Sequence, residues 1–118
     1  MINDYSELVV EASRLSGITD VAQRAPMYIG MAEDFLSKKL RKNINPLTAS
    51  NATNQLLAEE PELYLHAVVF QALANNNETE RAAVERNYLE TLIEEWERAE
   101  VARRFTDQKV KLPASHLV

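Results

Sequence analysis

Residues 60–74, EPELYLHAVVFQALA, decide the fold. Valine and aromatic residues would suit a strand over Leu63 to Phe70. Fifteen residues with Pro61 in the opening turn fit a helix better. From Leu63 to Ala74 apolar residues occupy nearly every side, and a helix apolar all round is one that neighbours cover on several faces. The stretch therefore predicts a central helix beginning at Glu60, with the remaining elements packed around it.

Working outward, Asn75-Asn76-Asn77 makes a turn, and Asn77 with Glu80 has capping-box spacing. A long helix is expected from Glu78 to Phe105, about 42 Å, with Val84, Tyr88, Leu92, Trp96 and Ala99 on its inner face and Leu89 and Ile93 beside them. Two four-residue pairs, Glu94–Arg98 and Glu100–Arg104, each add about 0.3–0.5 kcal/mol. That helix is longer than the bundle needs, so its far end projects. Thr106 to Val118 shows no helical period and contains Pro113. Val110, Leu112, Leu117 and Val118 alternate there with Lys109 and Lys111, and the reading is an extended, partner-seeking tail.

Toward the N-terminus, residues 43–58 crowd Asn, Thr, Ser and Pro46 into an irregular connector with one extra turn at Gln55 to Leu57. Before it, Ile29, Ala32, Phe35, Leu36 and Leu40 form the inner stripe of a helix with Pro26 in its first turn, preceded by a short turn that Asp20 caps. Gly30 in this helix costs about 1 kcal/mol against Ala, which implies close approach of a neighbouring element. The first helix starts at Asn3 or Asp4, buries Leu8, Val9, Ala12 and Leu15, and stops at Gly17 in the left-handed conformation. The expectation is an all-α compact bundle of four main helices over residues 1–105, with an extended tail over 106–118.

Composition narrows function by exclusion. The chain has 118 residues, no Cys, two Gly, two His and a formal net charge of −5. Disulfides and thiolate chemistry are excluded, and general affinity for DNA phosphates is disfavoured. Two glycines cannot build a P-loop or a dinucleotide fingerprint. No stretch resembles a signal peptide or a bilayer span, so a cytoplasmically made, soluble protein is expected. His66 and Glu62, four apart, share a helical face. Two ligands do not make a metal site, and His66 reads as a hydrogen-bonded core or interface residue. The carboxylates Glu90, Glu94, Glu95, Glu97 and Glu100 read as a solvated face, since glycosidase-like catalysis needs two of them opposed across a cleft. The expectation is no enzyme, no cofactor and no metal.

Two clusters remain. Lys38, Lys39, Arg41 and Lys42 suit the negative end of a helix dipole, and are also a candidate contact patch for phosphate or an acidic partner. Tyr88 and Trp96 are explained by core packing. Arg103, Arg104 and Phe105 at the projecting end, with Val110, Leu112 and Leu117 in the tail, are candidate interface residues, because aromatics and Arg dominate binding hot spots.

Two stretches resemble a known family. Tyr5-Ser6-Glu7-Leu8, then Ala25-Pro26-Met27-Tyr28-Ile29 with Ala32-Glu33 and Leu40-Arg41, resembles the N-terminal half of tailed-phage head–tail adaptor (connector) proteins. Pro61-Glu62-Leu63-Tyr64-Leu65-His66-Ala67, followed by a long Tyr-containing helix ending in Glu100 and Arg103-Arg104, resembles their C-terminal half. Together these cover roughly two-thirds of the chain, as patterns of helix-face residues. The resemblance implies a cofactor-free structural protein of the virion neck, made in the host cytoplasm. It would form a homo-oligomeric ring, commonly twelve-fold, beneath the portal protein. Such a ring extends the DNA channel, lets DNA pass without specific binding, and docks tail or neck proteins. Relatives of this type often carry a longer, strand-containing insertion where this chain has only Asn43 to Ala58. A non-viral helical interaction module and a small DNA-binding regulator using the basic cluster are the alternative readings.

Overall fold

The computed structural model of the protein describes residues 2–111, with side chains described through residue 105. Five helices follow in order: α1 (Tyr5–Ser16), α2 (Val21–Leu40), α3 (Gln55–Glu59), α4 (Pro61–Ala74) and α5 (Thr79–Lys111). No strand occurs among the described residues, and none of their helices is long and apolar enough to cross a membrane.

The apolar stretch forms α4, with Pro61 in its first turn. It packs against each of the other four helices. Leu63, Tyr64, Leu65, Ala67, Val68, Val69, Ala72 and Leu73 are all buried. At about 1.5–3 kcal/mol for each large apolar side chain removed from water, this one helix anchors the core.

Helix ends follow local chemistry. The Asp4 carboxylate accepts from the Glu7 N–H at 2.9 Å and starts α1. Gly17, at φ 70°, ends it by donating its N–H to the Ser13 carbonyl. The expected cap at Asp20 is not made: its carboxylate accepts from the Tyr28 hydroxyl at 3.2 Å and pairs with Arg24 at 3.3 Å. The short turn and the Pro26 helix run together as α2, with a kink at Arg24, whose φ/ψ of −106°/15° leaves the helical region. Pro26 lacks an N–H, so the kink falls just ahead of it. Asn77 does not cap α5. At φ 62° it occupies the left-handed region, which asparagine tolerates, and the Glu78 N–H returns to the Leu73 carbonyl to close α4.

Gly30 also departs from expectation. A Cβ placed there would meet nothing within 4 Å, so no neighbour demands glycine. Gly30→Ala should therefore raise stability by about 0.5–1 kcal/mol through helix propensity alone. A thermal denaturation midpoint that stays level or falls would contradict this.

The inner face of α5 differs from the expected stripe. Ala82, Leu89 and Ile93 are buried, with Leu92 and Trp96 partly so, whereas Val84 is 70 % and Tyr88 49 % exposed and Ala99 is exposed. Polar contacts set this rotation. Arg81 donates to the Ser16 carbonyl at 2.7 Å, and Glu85 binds His66, so the 81–85–89 edge turns inward.

Beyond Glu100 the helix leaves the bundle, and residues 101–105 are exposed. The radius of gyration, 17.0 Å, exceeds the about 13.5 Å of a compact chain of this length. The helix also continues to Lys111, past the expected end at Phe105. No Gly or Pro intervenes before Pro113, and elongating an existing helix is cheap. Val110 thus lies in a helical span, although its side chain falls outside the described set. Leu112, Leu117 and the rest of the tail lie outside the described residues.

The connector is irregular but tightly held. One carboxyl oxygen of the buried Glu33 accepts from the Leu47 N–H at 2.8 Å and the Tyr64 hydroxyl at 2.6 Å. Asn54 donates to the Tyr64 oxygen at 2.8 Å and to the Asn45 carbonyl at 2.6 Å, while its own oxygen caps α3 through the Leu57 N–H. Burial first, and then the bond to Glu33, push the Tyr64 phenol far above its ordinary range, so it remains a donor. The Tyr5 N–H donates to the Ala52 carbonyl at 2.8 Å and ties the same segment to α1.

Candidate functional site

Helix α2 ends in a run of cations, and α5 passes beside that end. Between them lies a groove of about 540 Å³. Lys38, Lys39, Arg41 and Lys42 line it from the α2 side. Trp96, Glu97, Glu100, Val101 and Arg104 line it from α5. The basic cluster and one of the helix-tip arginines, more than sixty positions apart in sequence, thus share one site.

The charges around the groove are unequally engaged. Lys38 pairs with Asp34 at 3.1 Å and Lys39 with Glu90 at 3.4 Å. The Lys42 ammonium stands 5.1 Å from the centre of the Trp96 ring, a cation–π contact. Arg103 binds Glu100 at 2.6 Å. Burial raises the Glu60 carboxyl above the ordinary carboxylate range, and Glu59 adds to this while Arg103 and Lys42 pull the other way. Arg41 and Arg104 form no ion pair with any described residue.

Arg41 is also unusual in its backbone. It closes α2 at φ 55°, in the left-handed region, with its N–H on the Ser37 carbonyl. Glycine or asparagine is the usual occupant of such a position, because a longer side chain there costs about 1 kcal/mol.

The other interface candidates separate from one another. Arg104 turns to the groove, Arg103 is spent on Glu100, and Phe105 is 56 % exposed at the helix tip. Sequence reasoning missed Val101, which is 63 % exposed one turn before Phe105. Its spacing from Phe105 was the available signal, since residues four apart on a helix share a face. Trp96, assigned to the core, is only half-buried and forms a wall of the groove. Nothing local to α2 or α5 announces that the two meet there.

His66 lies elsewhere, at the seam between α4 and α5. Its Nδ1 bonds Glu85, its Nε2 is 3.3 Å from Glu62, and its ring meets Tyr88 edge-on at 4.6 Å. It is the hydrogen-bonded interface residue expected. Among the described residues no group of three or more His, Cys, Asp or Glu could hold a metal ion.

Burial pushes the His66 pKa down, but Glu85 and Glu62 outweigh it, and the net shift is upward from 6.5. A group raised on folding stabilises fully below its unfolded pKa, and that contribution is lost as pH rises through the folded value. The stability advantage of the wild type over His66→Gln should therefore be full below about pH 6 and shrink as the pH rises above the ordinary histidine value of about 6.5. Urea unfolding in acid and in mildly alkaline buffer measures it, and an advantage that grows with pH would refute the assignment. His116 is common to both proteins and cancels.

Compared with protein-family models, curated proteins and solved structures, the chain matches none. The adaptor resemblance therefore rests on the residue patterns from Tyr5 to Arg41 and from Pro61 to Arg104. Many of their residues, including Tyr28, Ile29, Ala32, Glu33, Leu63, Tyr64 and Ala67, are buried. These build the bundle, while Arg41, Glu100 and Arg104 of the same patterns line the groove.

Proposed function

We propose that this protein is a structural head–tail adaptor of a tailed phage or prophage, assembling as a ring beneath the portal to extend the DNA channel and dock tail components. The observation that carries the reading is the end of α5. There a helix runs on past its own bundle with Val101 and Phe105 largely in solvent and arginines beside them. A ring subunit needs a surface that meets a different surface on the next copy, and a projecting helix end is suited to that. The net charge of −5 fits a conduit along which DNA slides without adhering. The basic cluster does not favour a DNA-binding regulator, since Asp34 and Glu90 already engage two of its lysines.

Native mass measurement and electron microscopy test the proposal, on the protein alone at high concentration and mixed with a candidate portal protein. Annular particles, with or without portal, are the expected result. A protein that stays monomeric in both settings, and is absent from purified virions, would overturn the adaptor and leave a non-viral interaction module.

A further inference from the structure

The groove between α2 and α5 has properties that a helix-end charge cluster alone does not explain. Two guanidinium groups, Arg41 and Arg104, line it without an ion pair among the described residues, while the neighbouring Lys38, Lys39 and Arg103 are all engaged. One of the two sits on a left-handed backbone that glycine would occupy at less cost. A costly residue held at a groove is a reason to look for work done by its side chain.

We propose that this groove is a docking site for a short acidic–apolar segment of another protein. Carboxylates of the segment bind Arg41 and Arg104, and an apolar residue between them seats on Val101 and Trp96. Guanidinium forks match carboxylates in geometry as well as charge. The α5 wall from Trp96 to Arg104 is about 12 Å long, which about four extended residues span.

Several features select this occupant. The net charge of −5 repels the continuous phosphate charge of a nucleic-acid strand, whereas a short segment can place its two carboxylates on the arginines and stand clear of Glu97. Residues 112–118 of the chain itself carry no acidic side chain and so supply no pair of carboxylates for two arginines. The inference goes beyond the adaptor reading and does not need it, because a single chain in solution presents the whole site.

Trp96 is the only tryptophan in the chain, so its emission reports on the groove directly. The full-length protein is titrated with an acetylated, amidated peptide alternating Glu and Leu, at low ionic strength where such pairs are least screened. A saturable change is expected, and added salt weakens it. The double variant Arg41→Gly/Arg104→Gln should bind roughly tenfold or more weakly, with circular dichroism confirming its helices. Glycine suits the backbone at position 41, so folding is preserved. The proposal is overturned by unchanged emission, by equal binding of a Gln–Leu peptide, or by full binding in the double variant. Tighter binding of oligothymidylate would assign the groove to nucleic acid instead. Emission that changes with protein concentration alone would assign it to a second copy of the chain.

Discussion

Glu33→Ala is expected to lower the unfolding free energy by about 3 kcal/mol. The change leaves the Leu47 N–H and the Tyr64 hydroxyl without their acceptor at a site shielded from water, where each orphaned donor costs about 1–3 kcal/mol. It also opens a void at the packed α2–α4 contact. Tyr64→Phe removes one of the same bonds while keeping the ring, and should cost about 1–2 kcal/mol. Urea denaturation measures both. Local release of the connector should accompany them, read as faster amide exchange at Leu47 and Leu57. If Glu33→Ala cost less than about 0.5 kcal/mol, the ordinary range for surface changes, the bond network would not be what holds residues 43–54 in place.

Val101→Glu combined with Phe105→Glu should have the opposite profile. Both side chains are exposed beyond the bundle, so stability should stay within about 0.5 kcal/mol of wild type. Self-assembly, or binding to portal, should be lost, since two carboxylates would enter the centre of an apolar contact without partners. Sedimentation analysis separates assembled from unassembled protein. Wild-type assembly by this variant would exclude the α5 tip as the joining surface. Lost assembly together with lowered stability would place the two side chains in the fold and not at an interface.

The contrast between these sites explains how much was legible in the sequence. A signal carried by adjacent residues could be read directly. The all-round apolar run of α4, the left-handed Gly17 and the polar irregularity of the connector all stand in the structure as read. What depends on a distant partner could not be read. Glu33 and Tyr64 are 31 positions apart, and neither is exceptional until α2 lies against α4. On α5, two overlapping apolar stripes have nearly the same period. The choice between Val84–Tyr88 and Leu89–Ile93 falls to Arg81 and Glu85, polar residues whose partners lie on α1 and α4. The groove is the extreme case. Its basic half was visible as Lys38, Lys39, Arg41 and Lys42, but its aromatic and acidic half comes from another helix. Gly30 failed for a different reason: a costly residue need not mark a contact.

The position of α4, in touch with every other helix, also bears on synthesis. The polypeptide emerges from the ribosome at about 5–20 residues per second, and α1 and α2 are complete before the element they must surround begins. For a few seconds the nascent chain carries Leu8, Ile29 and Leu36 without the α4 surface that will complete their burial. A holding chaperone that binds this early half, and lets go once Ile93 has been added, would suit the order in which the protein is made.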